Sequence, residues 1–278
     1  MAASIENGSS SGGPFTITLE HYAGRDAEVV VPQGVTKIGR QAFANNRYIK
    51  YVELPEGLTV IDDEAFASCA NLEEINIPLT VEVIGADSFK GCWRIRSIKV
   101  PAGVTELGAR TFARCRSLET IELPEGLESI GEACFRHCIS LEGFAFPSTV
   151  ERIGPSAFHN CSKMVIGALP ERLEMIEDSA FEMCKSLVDV EIPETVGWMG
   201  RRCFKDCISL ESVALPGELP YIEEGVFEGC SSLNMVGMPH ALSHIESRAF
   251  AGTGLLWEDV VVPEGCAIAP DAFDAVGS

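Results

Sequence analysis

Positive charge is scarce in this chain. Its 278 residues hold 21 Lys and Arg against 41 Asp and Glu, a formal net charge of −20, with a sequence pI near 4.6. A molecule of that charge repels a phosphate backbone and an anionic lipid surface, so no nucleic acid partner is expected. Long apolar runs are missing too. No stretch approaches the roughly 18–20 residues a membrane span needs, so no membrane insertion is expected. Aromatic residues make up only 8% of the chain although hydrophobic residues make up 46%, which fits many small aliphatic cores and does not fit disorder. No C-x-x-C, H-E-x-x-H, G-x-S-x-G, P-loop or G-x-G-x-x-G occurs, so neither a metal, a cofactor nor an enzymatic reaction is expected. Residues 1–14 carry no Lys or Arg and no apolar core of a secretory signal. They read as a flexible leader, and the expected location is cytoplasmic, with the cell surface or secretion as the alternative.

What is present is a beat. Phenylalanine falls at 43, 66, 89, 112, 135, 158, 181, 204, 227, 250 and 273, every 23 residues. Proline keeps the same interval from 32 to 239 and arrives one residue late at 263. A fixed period of this length marks a solenoid, in which each repeat is a coil stacked on its neighbours. The expected organisation is a single array over 15–278, with repeats over 32–273.

Within one copy, residues 55–78, Leu72-x-x-Ile75-x-Ile77 alternates inward and outward as a short strand should. Proline then stops the ladder, because it has no N–H to donate. A turn follows, and then Ala65-Phe66-x-x-Cys69-x-x-Leu72 places apolar residues on one side of a predicted helical turn. The coil therefore reads as α/β. Parallel strands stack at about 4.8 Å, so about eleven coils give a rod or arc on the order of 50 Å long.

These residues carry a resemblance. The pattern I-G-x-x-A-F-x-x-C-x-x-L-x-x-I-x-(I/L)-P resembles the BspA-like leucine-rich repeats, over residues 15–273. The resemblance implies a right-handed solenoid with a parallel sheet on one face, a capping strand pair at 15–31, a role in protein binding or adhesion, and no catalytic set. Two departures stand out: Gly167 occupies an inward aliphatic column, and Asn46 and Thr253 occupy the cysteine column.

Eight of the eleven cysteines share one column, 23 apart from Cys69 to Cys230. Cys134, Cys203 and Cys266 also fall in inward columns, so all eleven are expected to be reduced core thiols.

The outward strand positions line one continuous face. One column runs Glu53, Asn76, Lys99, Glu122, Ala145, Ala168, Glu191, Ala214, Gly237; the other runs Tyr51, Glu74, Ser97, Thr120, Gly143, Ile166, Asp189, Ser212, Met235. From 143 onward the face turns small and apolar. That either relieves crowding on a curved sheet or forms a shallow groove for a peptide. Residues 90–116 hold seven basic side chains (Lys90, Arg94, Arg96, Lys99, Arg110, Arg114, Arg116) against one acid, Glu106. The island is either neutralised by neighbours such as Glu73, Glu119 and Glu122 or docks an acidic segment.

The expected function is non-enzymatic binding of a protein or peptide on the strand face, with a cell-surface adhesin or antigen-like role as the alternative. The candidate residues are Tyr51, Glu53, Glu74, Asn76, Arg96, Lys99, Glu122, Ile166, Asp189, Glu191 and Met235. A final strand over 256–262 is expected to leave an edge, giving a monomer or a weak end-to-end dimer.

Overall fold

A computed structural model describes the backbone of residues 3–8 and residues 16–274. The chain winds as a stack of coils, and each coil contributes to three walls that run the length of the molecule. The first wall is built from three-residue strands such as Tyr51–Glu53, Glu74–Asn76 and Ser97–Lys99. Its centre residue, for instance Val52 or Ile98, is buried while its neighbours face solvent. The second wall is built from two-residue strands such as Val60–Ile61 and Val83–Ile84, each paired in parallel with the next coil. The array therefore carries parallel strands on two walls, where one had been expected. Proline links the two, and its carbonyl accepts from the residue three positions on, as in Leu58 N–H to Pro55 O at 3.2 Å.

The third wall corrects the α/β assignment. The described residues contain no α-helix, and the one helical element is a 3-10 turn at Trp257–Asp259. Apolar residues spaced by three, Phe66, Cys69 and Leu72, fit successive three-residue turns as well as a helix. Backbone hydrogen bonds decide between them. The N–H groups of Ala65, Ala67 and Cys69 bond three residues back, to Asp62 at 3.2 Å, Glu64 at 2.9 Å and Phe66 at 3.1 Å. Those of Glu64, Phe66 and Ser68 leave the coil and bond Ala86, Ser88 and Lys90 of the next at 2.8, 2.8 and 2.7 Å. Glu64 and Ser68 take left-handed φ values of 55° and 59°, and the same two columns are left-handed in coil after coil, as at Arg110 and Arg114. Such residues interrupt the right-handed run a helix needs, and inter-coil hydrogen bonding offsets their strain.

The core is one continuous cluster along the stack. Phenylalanine rings lie face to face from Phe43 to Phe273, with centroids 4.8 Å apart at Phe43–Phe66 and 5.0 Å at Phe250–Phe273. Tyr22 closes the row at one end, 5.2 Å from Phe43, with its hydroxyl donating to Asp26 at 2.7 Å. Trp257 meets Phe273 edge-on at the other end.

The first strands are tied into this stack. Thr16–Tyr22 pairs in parallel with Lys37–Ile38 and so opens the second wall. Within the span expected to be a leader, Ala3–Gly8 forms a strand antiparallel to Thr16–Tyr22. The rest of 1–14 lies outside the described residues. The strand expected over 256–262 is replaced by the 3-10 turn, so Met235–Gly237 is the last strand of its sheet.

Candidate interaction surfaces

The strand wall does not run uniformly. Ser97–Lys99 pairs with Thr120–Glu122 at a step of 23 residues, and Asp189–Glu191 pairs with Ser212–Ala214 at the same step. Between them, Gly143 pairs with Val165 and Phe144 with Ile166, a step of 22. This one-residue slip answers the glycine at 167. Ile166 takes the inward place beside Phe144 and packs against the core. Val165 faces solvent at 54% exposure. Ile166, expected on the outer face, is therefore half-buried, because a step of 22 turns the other side of the strand outward.

Two phenylalanines of the preceding coil, Phe144 and Phe146, pack against the ring row. Phe144 meets Phe135, Phe146 and Phe158 edge-on at 5.5, 4.7 and 4.8 Å. Phe146 reaches Phe158 at 5.6 Å and Phe181 at 6.5 Å. Beyond Ile166 the sheet is interrupted before Asp189–Glu191, and the gap opens a groove of about 790 Å³. Gly167, Ala168, Leu169, Val190 and Ala214 line it together with four carboxylates, Glu171, Asp189, Glu191 and Glu194. Asp189 accepts from the Ser212 hydroxyl at 2.5 Å and Glu194 from the Gly217 N–H at 2.9 Å. Among the described residues none of the four has an ion-pair partner.

The other expected face residues, Tyr51, Glu53, Glu74, Asn76, Arg96, Lys99, Glu122, Asp189, Glu191 and Met235, are all exposed. The groove brings together only Asp189 and Glu191 of these. Met235 lines a separate apolar hollow with Val236, Met238, Leu255 and Val261. Three cations on or beside the N-terminal half of this face are held by acids of adjoining coils. Arg94 meets Glu73 at 3.1 Å, Arg96 meets Glu119 at 3.3 Å and Lys99 meets Glu122 at 2.9 Å. Asp87 gathers Lys90 at 2.8 Å and Arg110 at 2.7 Å. Burial pushes the Asp87 carboxyl up, but the bonds from Arg110 and Lys90 outweigh it and hold it below its ordinary value.

Column reading of the strand face alone missed a second exposed stripe, on the two-residue wall. Met175 lies beside Trp198 in register, and Tyr221 stacks on His244 at 5.0 Å. The same 23-residue interval applied to that column would have shown it.

The cysteine column has a structural role. Each thiol from Cys69 to Cys230 donates to a phenylalanine carbonyl 26 residues earlier, as from Cys69 to Phe43 at 3.1 Å and from Cys230 to Phe204 at 3.0 Å. All eleven cysteines are free thiols. Burial raises Cys69, Cys115 and Cys184 to about 12, so these thiols stay protonated. Cys266, placed inward from the sequence, is only half-buried, because among the described residues its coil pairs with a neighbour on one side alone. Among the described residues no group of three or more His, Cys, Asp or Glu could hold a metal ion.

The model of the BspA type leucine rich repeat region matches in six copies, over residues 36–165 and 165–276. A leucine-rich repeat protein from Eubacterium ventriosum is 18% identical, with 99% of this chain and 93% of that one covered and a TM-score of 0.50. A leucine rich cell surface protein from Faecalibacterium prausnitzii is 21% identical, with the same coverage and a TM-score of 0.49. The pneumococcal vaccine antigen PcpA is 16% identical over 100% of this chain and 97% of its own, with a TM-score of 0.37. No curated protein matches the chain. Among the described residues no helix is long and apolar enough to cross a membrane.

Proposed function

The chain belongs to the BspA-type leucine-rich repeat family, and on that premise we propose that it binds an extended segment of a protein partner in the groove beside Gly167. The observation that carries the reading is the one-residue slip between Gly143–Phe144 and Val165–Ile166. It opens a groove lined by small side chains on a wall whose paired strands to either side keep a step of 23. A peptide there meets apolar surface at Leu169 and Val190 and carboxylates at Asp189 and Glu191. Since those carboxylates lack cationic partners among the described residues, the segment that fits is one carrying a basic side chain. The reading is one of recognition: the groove offers carboxylates beside small apolar surface, and the Ser212 hydroxyl in it is bonded to Asp189.

Gly167 also supplies the test. A Cβ placed on it meets nothing within 4 Å, so Gly167→Trp can block the groove while the fold stands. Peptides selected for binding from a random display library should lose at least about tenfold in affinity for Gly167→Trp and for Asp189→Lys/Glu191→Lys. Selected peptides that bind wild type and both variants equally would place recognition elsewhere.

A further inference from the structure

The basic residues are unevenly satisfied. Five of the seven in the island over 90–116, namely Lys90, Arg94, Arg96, Lys99 and Arg110, have carboxylate partners. Arg114 and Arg116 have none among the described residues, and neither does Arg136 of the next coil. These three lie together on the turn wall, away from the groove. The Arg114 N–H donates to the Arg136 carbonyl at 2.7 Å, which puts them on adjacent coils. Arg114 and His137 occupy one left-handed column, at φ 62° and 63°. The Arg116 guanidinium sits over the Trp93 ring, 5.9 Å from its centroid. Trp93 is 51% exposed, and Ile139, two coils further along the same column with Arg116 between, is 39% exposed.

The electrostatics agree with the geometry. The His137 ring Nδ1 accepts from the Asn160 side-chain amide at 3.0 Å, and the ring faces His159 edge-on. Burial holds its pKa below the ordinary value, and Arg136, His159, Arg114 and Arg116 push the same way. A patch of net positive potential thus stands on a molecule of charge −20.

We infer that the turn-wall patch formed by Trp93, Arg114, Arg116, Arg136 and Ile139 docks an acidic segment of a protein partner, with carboxylates at the arginines and an apolar side chain against Trp93 and Ile139. Arginine beside an exposed tryptophan is the composition of an interface hot spot. Size decides for a short segment over a long polyanion. A nucleic acid, a sulfated polysaccharide or an anionic membrane would extend past the patch onto acidic coils and be repelled. The surface goes beyond the groove reading and does not depend on it.

The probe is a labelled synthetic peptide of about a dozen residues alternating Asp or Glu with Leu, followed by fluorescence anisotropy. Binding should weaken about tenfold for Arg114→Gln/Arg136→Gln, several-fold for Trp93→Ala, and further as salt rises. Arg116→Gln alone should weaken it as well, which guards against a fold defect in the paired variant. Lys185→Gln, which removes an unpaired cation elsewhere, and Gly167→Trp should leave it unchanged. On saturation the His137 imidazole resonances should titrate at higher pH, since the bound carboxylates offset the arginines. The inference is overturned if the peptide does not bind. It is also overturned if affinity ignores Trp93→Ala while dextran sulfate or phosphatidylserine vesicles compete equally well, which would make the patch a general polyanion site.

Discussion

Gly167 and Gly200 are both glycines of a 23-residue repeat, yet they sit in opposite surroundings. A Cβ on Gly167 meets nothing within 4 Å, whereas one on Gly200 falls 2.4 Å from the Asp178 backbone nitrogen and 2.5 Å from its carboxylate. That carboxylate is already bonded to the Arg201 N–H at 2.8 Å. The contrast extends to the walls that carry them. On the two-residue wall Arg152 pairs with Met175 and Met175 with Trp198, each at a step of 23. On the strand wall the step falls to 22 in the same part of the stack. Each wall has its own ladder of inter-coil hydrogen bonds, so one can slip while the others hold the coil spacing. A solenoid can thus acquire a local site without losing its order.

The contrast can be broken from the core outward. Phe158 stacks at 5.3 Å on both Phe135 and Phe181 and also supports Phe144 and Phe146, whereas the ring partners of Phe89 among the described residues are its stack neighbours Phe66 and Phe112. Phe158→Ala and Phe89→Ala should each cost about 3–5 kcal/mol in denaturant unfolding, with Phe158→Ala at the upper end. Equal losses would mean that Phe144 and Phe146 do not depend on the slip.

The glycines come next. Gly200→Ala should cost about 1–3 kcal/mol by overpacking against Asp178, and Gly167→Ala should stay within about 0.5 kcal/mol. Comparable melting shifts would remove the distinction between the tight and slack walls. A smaller change of opposite sign is expected at Ser88. Its buried hydroxyl has no hydrogen-bond partner among the described residues, and the preceding coil holds Ala65 in the same column. Ser88→Ala should add about 1 kcal/mol, and a loss would reveal an unseen partner for the hydroxyl.

Charge gives a pH-dependent effect. Asp87 and Glu228, with ordinary values of 3.8 and 4.5, are both held lower in the fold. At Glu228, burial is outweighed by the bonds from Arg248 and Lys205. Carboxyls lowered by folding contribute stability that is full above their ordinary values and is lost as pH falls through the folded ones. Melting temperature should therefore fall below about pH 4.5, and Asp87→Asn with Glu228→Gln should flatten that fall while lowering the neutral plateau. An acid limb unchanged in the double variant would assign the loss to other groups. The smallest effect concerns the thiols. Cys266 should react with a thiol reagent in the native protein while the buried cysteines wait for denaturant. Fast labelling of several sites would contradict a closed stack.

The 23-residue beat by itself determined that coils stack, which columns face inward, that the thiols other than Cys266 belong to the core, and where the strand face lies. It did so because identical spacing forces like residues into register, and an apolar column survives only if the neighbouring coil covers it. The column reading also marked Gly167 as a departure. Three things were decided by the tertiary structure. Apolar residues three apart serve a helix or a chain of three-residue turns equally well, and only the outward-pointing N–H groups of Glu64, Phe66 and Ser68, bonded to the next coil, select the turns. The side on which Ile166 lies depends on pairing with Phe144, a partner 22 residues away. And whether a cation such as Arg96 or Arg114 is neutralised depends on which acid the neighbouring coil brings within reach, a distance set by stacking and not by order along the chain.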